Sequence, residues 1–438
     1  MSGLAKYLLE EGHAVSGSDI EYSKYLDALN SLGAKTFVGH SANNVPPNAV
    51  VIKSTAIREN NPELTRAKEL GLNIYHRSDL LKEIAESAQH KGMCFIGFSG
   101  THGKTTTSGL ASYVLDKAGL MPSFVDGGIV PDLNTNAQHK NGKFFIAELD
   151  ESDGTITKYS PDILVINNIE EDHLDYYKNG ISDLITTFNT AITKSKKVII
   201  NKDNEGACML EGNFVTFGLD IADYTAKNIK LSSDETSFDV YYKDSLLTSV
   251  SISLGGMHNV YNTLAVIAAL NEAGVDIGIL KPYFKSFTGM GRRFQKIGEF
   301  EGIQVYDDYA HHPTEIKAAL EAAAQKFGKE HVVAVFQPHR YTRLKGLWNE
   351  FKSSFTNAKR IIVTDVYAAS EDVIEGINSQ NFASDLADAE YISGSMEEVS
   401  RKLINTLKSG DVVIGLGAGT ITDLGKYLLK ISGEITCK

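Results

Sequence analysis

A glycine-bearing turn followed by a lysine is the feature of this sequence best suited to chemistry. The segment Gly100 to Thr105 reads G-T-H-G-K-T and follows the apolar run Cys94 to Phe98. Backbone N–H groups of such a turn, placed at the start of a helix, bind phosphate groups, and the lysine neutralises their charge. The motif is shorter than the full G-x-x-x-x-G-K-T, but a strand before it and a helical pattern after it predict an ATP-binding loop. An ordinary strand-to-helix turn with an exposed lysine is the alternative.

Magnesium would accompany a triphosphate, and the sequence offers oxygen ligands for it. Thr105 follows Lys104 at the predicted helix start, where its hydroxyl can reach the ion. Glu148 closes the apolar strand FFIAELD, and ligands of open α/β sheets collect where strands end. The further carboxylates between residues 150 and 153 leave a solvated acidic loop as a competing interpretation.

The next strand, within DILVINNIEEDHLDYY, also ends in an acidic cluster. His173 lies among its carboxylates and could bind a metal ion or carry a proton, although a lone histidine is more often a surface or packing residue. Two successive strands with such ends beside a phosphate loop favour the functional interpretation.

Polar residues also begin the helix predicted within GGMHNVYNTLAVIAAL. His258, Asn259 and Asn262 occupy its first turns, where amide groups could bind the edge of a purine. Capping of the helix by Asn259 is the alternative, and the sequence alone favours it.

Three polar clusters distinguish the C-terminal third. Arg292 and Arg293 follow a glycine turn and could reach a phosphate or a ribose. The second cluster comprises residues 307–312, before a helix predicted to start at Pro313. The third is QPHRYTR, residues 337–343, whose arginines suit a carboxylate substrate. By contrast, GLGAGT near the C-terminus resembles a dinucleotide turn only loosely, and we interpret it as a turn for close packing.

Composition and charge exclude several classes of function. Hydrophobic residues make up 42% and charged residues 22% of the 438, as in globular proteins. The net charge of −12 disfavours nucleic acid as a partner, and no uncharged stretch is long enough to cross a bilayer. Glu10 and Glu11 come too early for a secretory signal, and three widely spaced cysteines fit reduced thiols. We therefore expect a cytoplasmic protein without nucleic-acid binding or membrane insertion.

Alternating strand and helix patterns predict an α/β protein of three domains. Residues 1–90 form a small doubly wound, Rossmann-like unit that opens on its first helix, without the strand and glycine-rich turn that normally begin such a sheet. Residues 91–290 contain the phosphate loop, further strands of a P-loop ATPase-type domain and an antiparallel insert. Residues 291–438 repeat the strand and helix alternation of a Rossmann-like domain.

Ten segments, taken in order, resemble the Mur ligases of peptidoglycan synthesis. They are MSGLA, SGSD, GTHGKTTT, AELDESDGT, NIEEDHLDYY, GMHNVYN, GRRF, DDYAHHPTEI, FQPHRYTR and DVYAASE. The resemblance covers nearly the whole chain and implies a UDP-sugar domain, a central ATPase domain and a C-terminal domain that closes over the site. DDYAHHPTEI with PHRYTR is specific to the member that joins L-alanine to UDP-N-acetylmuramate.

What the resemblance implies is a ligase that uses ATP and Mg²⁺ in two steps. The carboxylate of UDP-N-acetylmuramate attacks the γ-phosphate to give an acyl phosphate. The amino group of L-alanine then displaces phosphate through a tetrahedral intermediate and forms the amide. We expect a monomer or a homodimer that works in cell wall formation, and hence in cell shape and division.

The resemblance also implies roles for individual residues. The catalytic residues would be Lys104, His173, His311, His339, Arg340 and Arg343. The ATP-binding residues would be Gly100, Thr101, His102, Gly103, Lys104, Thr105, Thr106, His258, Asn259, Asn262, Arg293 and Asp308. The substrate-binding residues would be Ser18, Asp19, His40, Ser54 and Thr55 for UDP, Asn134, Thr135 and Asn136 near the muramyl group, and Tyr309 near the alanine. The metal ligands would be Thr105 and Glu148 on one magnesium ion and His173 on a second.

The departure from the family pattern is at the front, where Met1 begins the M-S-G-L-A string. Family members carry a strand and a glycine-rich turn just before it, where backbone amides meet the UDP diphosphate. Either the start site is assigned too late, or the chain lacks part of its grip on UDP, which would raise the Michaelis constant or destabilise the first domain.

Two other functions remain open. A ligase that joins a murein tripeptide to the same sugar shares the early motifs but differs at PHRYTR. A nucleotide-binding regulatory protein without turnover is the alternative of another class. The presence of Lys104, Glu148, His173 and the arginines argues against it, since these groups serve only the reaction.

Overall fold

The computed structural model describes residues 1–172, 176–232, 235–369 and 371–436. Two compact units can be distinguished along the chain. The first consists of Met1–Lys227, Val240–Thr248 and Tyr261–Phe284, and the second of Asn228–Asp239, Ser249–Val260 and Lys285–Lys438. The domain boundaries proposed from the sequence, after residues 90 and 290, stay predictions. Within the described ranges, no helix has the length and apolar character needed to cross a bilayer.

The first 90 residues alternate short helices and strands, as the sequence predicts. The elements are α1 (Ser2–Glu10), β1 (Ser16–Asp19), α2 (Lys24–Ser31), β2 (Lys35–Val38), β3 (Val51–Lys53), α3 (Pro62–Glu69), β4 (Ile74–His76) and α4 (Arg77–His90). β1 pairs in parallel with β2, and β3 with β4, in two separate two-stranded sheets. Asn61 caps α3, because its side chain accepts a hydrogen bond from the backbone N–H of Glu63 at 2.8 Å. This cap fixes the helix end from which Glu63 projects.

A ten-stranded sheet follows in the chain. Its elements and flanking helices are β5 (Cys94–Ser99), α5 (Lys104–Lys117), β6 (Ser123–Val130), β7 (Thr135–Gln138), β8 (Phe144–Glu148), β9 (Ile163–Ile166), α6 (Ile181–Ile192), β10 (Lys197–Asn201), α7 (Glu205–Cys208), β11 (Val215–Gly218), β12 (Tyr224–Leu231), β13 (Thr236–Tyr242), β14 (Ser245–Ile252), α8 (Met257–Glu272) and α9 (Ile277–Phe284). The strand order is β14-β13-β12-β11-β10-β9-β5-β8-β6-β7. Only two residues join the neighbouring strands β13 and β14, a connection too short for parallel pairing. The predicted antiparallel insert is therefore confirmed.

The middle of this sheet positions the phosphate loop. β5 lies between β8 and β9 and pairs in parallel with both, with Phe98 opposite Glu148 and Ser99 opposite Ile166. Phe95 and Phe98 are both buried, as expected for a strand covered on its two faces. Because parallel strands end at the same edge, the loop after β5, Glu148 and the segment after β9 all lie at one edge of the sheet.

The last part of the second unit is built on a six-stranded sheet. Its elements are β15 (Gln295–Phe300), β16 (Ile303–Asp308), α10 (Pro313–Phe327), β17 (Val332–Phe336), α11 (Tyr341–Gly346), α12 (Trp348–Ser353), β18 (Arg360–Val363), α13 (Ser379–Ser384), β19 (Ala389–Tyr391), α14 (Met396–Ile404), β20 (Val412–Leu416) and α15 (Leu424–Thr436). The order is β15-β16-β20-β17-β18-β19, with only β15 antiparallel to its neighbour. Ala334 and Phe336 belong to one buried cluster, and Val333 and Val335 belong to the other. Alternate residues of β17 thus pack on opposite faces of a sheet that is covered on both sides.

Candidate nucleotide and substrate sites

The loop between β5 and α5 is a tight turn that only glycine permits at two positions. Gly100 has φ +123° and Gly103 has φ +81°. A Cβ atom on Gly100 would lie 2.8 Å from the carbonyl oxygen of Asn168, and one on Gly103 would lie 2.6 Å from Oδ1 of Asn262. Both the backbone conformation and the close neighbours therefore require glycine. A backbone turn of this kind before a helix fits the phosphates of a nucleotide.

Two asparagines that follow β9 hold this loop in place. The Oδ1 atom of Asn168 accepts a hydrogen bond from the N–H of His102 at 2.7 Å, and its Nδ2 donates to the carbonyl of His102 at 3.1 Å. The carbonyl of Asn168 accepts from the N–H of Thr101 at 3.0 Å, and Nδ2 of Asn167 donates to the hydroxyl of Thr107 at 3.2 Å. Both asparagines belong to the segment DILVINNIEEDHLDYY, in which the sequence assigned them no role. Their amides, which donate and accept at once, were the available signal.

Lys104 is the first residue of α5, and it is held inside the loop. Its Nζ donates to the carbonyl of Gly100 at 2.6 Å, to that of Thr101 at 3.1 Å and to the carboxylate of Glu151 at 2.9 Å. Burial alone would lower the pKa of Lys104, but the charges of Glu151 and its neighbouring carboxylates raise it above the ordinary value. Lys104 is only 13% exposed, so it is not the exposed lysine of an ordinary turn. It supplies a permanent positive charge where phosphates would bind.

Glu151 is the buried partner of this lysine. Its side chain has no exposed surface, and burial raises its pKa to about 7 although Lys104 opposes the shift. Asp150, two residues after Glu148, forms an ion pair of 2.8 Å with Arg77 at the start of α4. The alternative of a solvated acidic loop is therefore wrong for Glu151, which is fully buried, while Asp150 is a partly exposed member of an ion pair.

Thr105 and Glu148 offer the oxygen donors that a magnesium ion prefers. Thr105 is the second residue of α5, and Glu148 ends β8 beside the loop-bearing strand. The backbone N–H of Gly127 donates to Oε2 of Glu148 at 3.1 Å, and a Cβ on Gly127 would lie 2.3 Å from the same oxygen. A hydroxyl and an oriented carboxylate at one sheet edge fit Mg²⁺. The third candidate ligand, His173, lies outside the described residues.

A second carboxyl near Glu148 was not identified from the sequence. Asp126 on β6 is only 4% exposed. Burial raises its pKa well above the ordinary value, the nearby hydroxyls of Ser108 and Ser112 oppose the shift, and the charge of Glu148 adds to it. An aspartate within an otherwise apolar run, SFVD, was the only signal in the sequence.

The candidate UDP residues lie in the first unit, and two of them are in contact. The hydroxyl of Ser18, on β1, lies 2.9 Å from Nδ1 of His40, which follows β2. Asp19 is exposed at the end of β1. Ser54 and Thr55 follow β3, and the hydroxyl of Thr55 lies 2.9 Å from Nε2 of His76 in the same unit. The structure thus brings Ser18 and His40 together, while Thr55 joins a different cluster.

The predicted muramyl loop lies between β6 and β7. Asn134 has φ +50°, which turns the chain, and Thr135 and Asn136 begin β7. A Cβ on Gly3 would lie 3.1 Å from Nδ2 of Asn136, so the strand packs closely against α1. Asn136 therefore packs against α1 within the protein. Its role in binding the substrate stays a prediction.

Two candidate cations of the second unit, Arg292 and Arg293, lie over one aromatic ring. Arg292 forms an ion pair with Asp307 at 3.1 Å, and Arg293 forms one with Glu315 at 3.4 Å. Both guanidinium groups lie over the ring of Tyr309, at 4.9 and 5.3 Å from its centre. Stacking and ion pairing together fix the direction of each planar group. Tyr309 thus contacts two guanidinium groups, each of which also has a carboxylate partner.

Asp308, one residue before this ring, is turned towards its own backbone. Its carboxylate accepts hydrogen bonds from the N–H groups of Phe294 and Ala310, both at 2.7 Å. Burial raises its pKa to about 6, and the charge of Arg293 opposes that shift. The carboxylate therefore stabilises the turn after β16, and its contact with nucleotide stays a prediction.

The histidines and arginines of the last unit form one cluster. The rings of His311 and His339 are 5.7 Å apart, and Nη1 of Arg343 lies 3.1 Å from Nδ1 of His339. Burial, together with the charges of His311 and the neighbouring arginines, lowers the pKa of His339 to about 3. Because a guanidinium can only donate, the neutral His339 accepts at Nδ1 and carries its proton on Nε2. Arg340, at φ +70°, directly precedes α11.

Tyr367 completes this cluster and was missed from the sequence. Its ring lies nearly parallel to that of His339, with centres 5.6 Å apart, and its carbonyl accepts from the N–H of Arg340 at 2.9 Å. A Cβ on Gly419 would lie 2.5 Å from Cγ of Tyr367. The glycine turn GLGAGT therefore serves close packing, as interpreted from the sequence, and its packing partner supports the histidine.

The residues at the start of α8 belong to different units. His258 is exposed, and Nδ2 of Asn259 donates to the carbonyl of Gly255 at 2.8 Å. Because α8 begins at Met257, Asn259 lies inside the helix, and its proposed role as an N-cap is wrong. Asn262 belongs to the first unit, where its side chain faces Gly103 of the phosphate loop.

Fold and site together define an α/β enzyme class with a phosphate-binding loop in the first unit and a cationic cluster in the second. Three family models match the chain: the Mur ligase family catalytic domain over residues 1–89, the Mur ligase middle domain over 98–270 and the Mur ligase glutamate ligase domain over 292–419. A UDP-N-acetylmuramate–L-alanine ligase of Trichlorobacter lovleyi is 40% identical, over 98% of this chain and 96% of its own length. The chain belongs to the Mur ligase family, and its α/β fold comprises three Mur ligase domains.

Solved structures of Mur ligases share this fold. The crystal structure of a UDP-N-acetylmuramate–alanine ligase from Thermotoga maritima is similar with a TM-score of 0.85 and 29% identity, covering 99% of this chain and 97% of that one. A MurF ligase from Thermotoga maritima, solved in complex with ADP, has a TM-score of 0.65 at 19% identity over 90% of this chain and 97% of its own. The second likeness shows the fold alone.

Proposed function

We propose that this protein joins L-alanine to the carboxylate of UDP-N-acetylmuramate at the expense of ATP, as a cytoplasmic step in peptidoglycan precursor synthesis. The observation that carries the proposal is the phosphate loop, in which a buried Lys104 is surrounded by loop carbonyls and paired with Glu151. The 40% identity to an L-alanine ligase over nearly the whole chain supports the choice of substrates.

ATP would bind with its β- and γ-phosphates at the loop of Gly100 to Gly103. Lys104 would leave the loop carbonyls and neutralise the transferred phosphoryl group, which carries most of the developing charge. Thr105 and Glu148 would hold Mg²⁺, which supplies Lewis acid stabilisation of the phosphate oxygens when it is bound. The protein groups thus bind and orient the triphosphate.

The amino acid would bind at the cationic cluster of the second unit. Arg343 offers a guanidinium fork that suits the α-carboxylate of L-alanine. The neutral His339 beside it keeps the fork in position without adding charge. Because His339 is neutral down to a pH near 3, this support does not change over the physiological pH range.

The proposal is tested by phosphate release together with detection of the ligated product. Release should require UDP-N-acetylmuramate, Mg²⁺ and L-alanine together. Lys104→Met should lower the rate by at least about 100-fold, since it removes a charge that acts on the transferred group. Lys117→Met, in the exposed last turn of the same helix, is the matched control and should keep the wild-type rate.

Two results would contradict the proposal. Ligation of a murein tripeptide in preference to L-alanine would indicate the recycling ligase. Nucleotide binding without any ligated product would indicate a regulatory protein, provided that the Lys104→Met protein binds nucleotide equally well.

A further inference from the structure

The corner between β1, β2 and α3 contains a carboxylate without an assigned role. The side chain of Glu63 is only 20% exposed. Its Oε1 accepts hydrogen bonds from the backbone N–H of Ser41 at 3.2 Å and from Nδ2 of Asn44 at 2.8 Å. Its Oε2 accepts from the hydroxyl of Ser18 at 2.7 Å and lies 3.8 Å from Nδ1 of His40. Both carboxylate oxygens accept hydrogen bonds from protein groups, so Glu63 orients these neighbouring groups.

The position of the Ser18 proton follows from these contacts. The hydroxyl lies 2.7 Å from Glu63 and 2.9 Å from Nδ1 of His40, and it has one proton to give. A carboxylate can only accept. If the hydroxyl donated to His40 instead, two acceptor oxygens would face each other at 2.7 Å. Ser18 therefore donates to Glu63, and Nδ1 of His40 donates to Ser18.

This arrangement selects one form of the His40 ring. A neutral imidazole with its proton on Nδ1 has an acceptor at Nε2. Across the part of the chain that the structure describes, we find no hydrogen bond to Nε2 of His40, whose side chain is 19% exposed. In its neutral form the ring therefore keeps an acceptor at Nε2 available for a ligand.

We propose that Glu63 is a positioning residue of the UDP-sugar site, which through Ser18 fixes His40 as the Nδ1–H tautomer so that Nε2 accepts a hydrogen bond from the substrate. The proposal rests on the proposed function, in which Ser18 and His40 line the UDP site. The negative charge of Glu63 disfavours a diphosphate at this corner. The group recognised is therefore an N–H or O–H donor of the uridine, that is, of the base or the ribose.

Glu63→Gln tests this relay, because the orientation of the new amide is fixed by the same neighbours. Ser41 and Asn44 both donate, so the amide oxygen must stay on their side and the NH₂ group must face Ser18. Ser18 then accepts from the amide and donates to His40, whose proton moves to Nε2. The substitution keeps the size of the side chain and reverses the direction of the hydrogen bonds.

Nitrogen NMR of the full-length protein, labelled with ¹⁵N in histidine only, reads the tautomer directly. The signals of His40 are those lost in His40→Gln. In the wild type we expect a protonated Nδ1 and an unprotonated Nε2, and in Glu63→Gln the two resonances should exchange character. An unchanged tautomer in Glu63→Gln would overturn the inference, whether or not the protein is a ligase.

Kinetics provide the second reading. Glu63→Gln should raise KM for UDP-N-acetylmuramate roughly tenfold, since one hydrogen bond to the substrate is lost, and should leave kcat and the KM values for ATP and L-alanine within about twofold. Glu69→Gln, on the exposed side of the same helix, should change none of them. If Glu63→Gln does not fold, Ser18→Ala takes its place, because it removes the acceptor of the Nδ1 proton.

The outcomes separate the two proposals. A wild-type protein that shows the Nδ1–H tautomer but makes no product refutes the proposed function and keeps the relay. An active ligase in which Glu63→Gln raises all three KM values together, with a lower Tm, gives Glu63 a merely structural role and overturns the inference.

Discussion

Replacing Asp126 with asparagine should stabilise this protein at neutral pH. The carboxyl is 4% exposed on β6, and burial raises its pKa well above the ordinary value of 3.8. The folded chain therefore keeps the proton at pH values at which the unfolded chain has lost it. Asparagine has a similar shape and carries no charge, so it removes this difference between the two states.

The sign and size of the effect follow from proton linkage. For an acid whose pKa is raised by folding, the folded state is favoured at low pH and loses stability as pH rises from the unfolded towards the folded pKa. Each pH unit in that window costs about 1.4 kcal/mol. Asp126 should therefore lower the stability of the folded protein progressively as the pH rises above about 4, where the unfolded side chain ionises, and Asp126→Asn should recover that loss.

Urea denaturation at pH 5 and pH 7, in the presence of a chelator, measures this difference. The gap in unfolding free energy between Asp126→Asn and wild type should be wider at pH 7 than at pH 5, by up to about 1.4 kcal/mol for each pH unit that lies below the folded pKa. Asp220→Asn, at an exposed position, is the control and should show no such widening. A gap of equal size at both pH values, or a loss of stability at pH 7, would show that Asp126 is ionised in the folded protein and refute the reasoning.

Three further predictions concern the sites themselves. Gly103→Ala should raise KM for ATP and lower stability by more than Gly119→Ala does, as measured by kinetics and by urea denaturation. Both glycines have positive φ, at +81° and +75°, but only Gly103 has neighbouring atoms where the added Cβ would lie. Equal effects would contradict the clash. Glu148→Gln should raise the Mg²⁺ concentration for half-maximal rate at least about tenfold, and an unchanged Mg²⁺ titration would remove Glu148 from the metal site. Arg343→Lys should raise KM for L-alanine roughly tenfold, because the guanidinium fork is lost. The control Arg401→Lys, at an exposed position, should leave that KM unchanged. A rise in KM for ATP instead would assign Arg343 to the nucleotide.

Much of the fold could be predicted because its signals are local. Apolar runs predicted β5, β8 and β9, and the proline at position 313 predicted the start of α10. Three of the strands that were not predicted carry weaker signals. β6 contains Gly127 and Gly128, β7 is the polar run TNAQ, and β15 is a half-buried edge strand, QKIGEF. Because such segments have low β-propensity and are only partly buried, pairing with neighbouring strands decides that they form strands.

The candidate site divides in the same way. The phosphate loop was visible because glycines, a lysine and a helix start are adjacent in the chain. The roles of Asn168 and Tyr367 were not visible, since each acts on residues distant in sequence. Asn259 shows the opposite failure: a residue type typical of helix caps lies inside α8 instead.

The sequence by itself determined the family pattern, the phosphate loop and the order of most strands and helices, because turn geometry and apolar periodicity depend on near neighbours. Only the tertiary structure decided which charges and hydrogen bonds meet. Lys104 pairs with a glutamate 47 residues away, and Ser18 donates to one 45 residues away. Parallel strands and the helices between them bring such residues together, burial and neighbouring charges then set their pKa values and proton positions, and no local pattern in the chain encodes those distances.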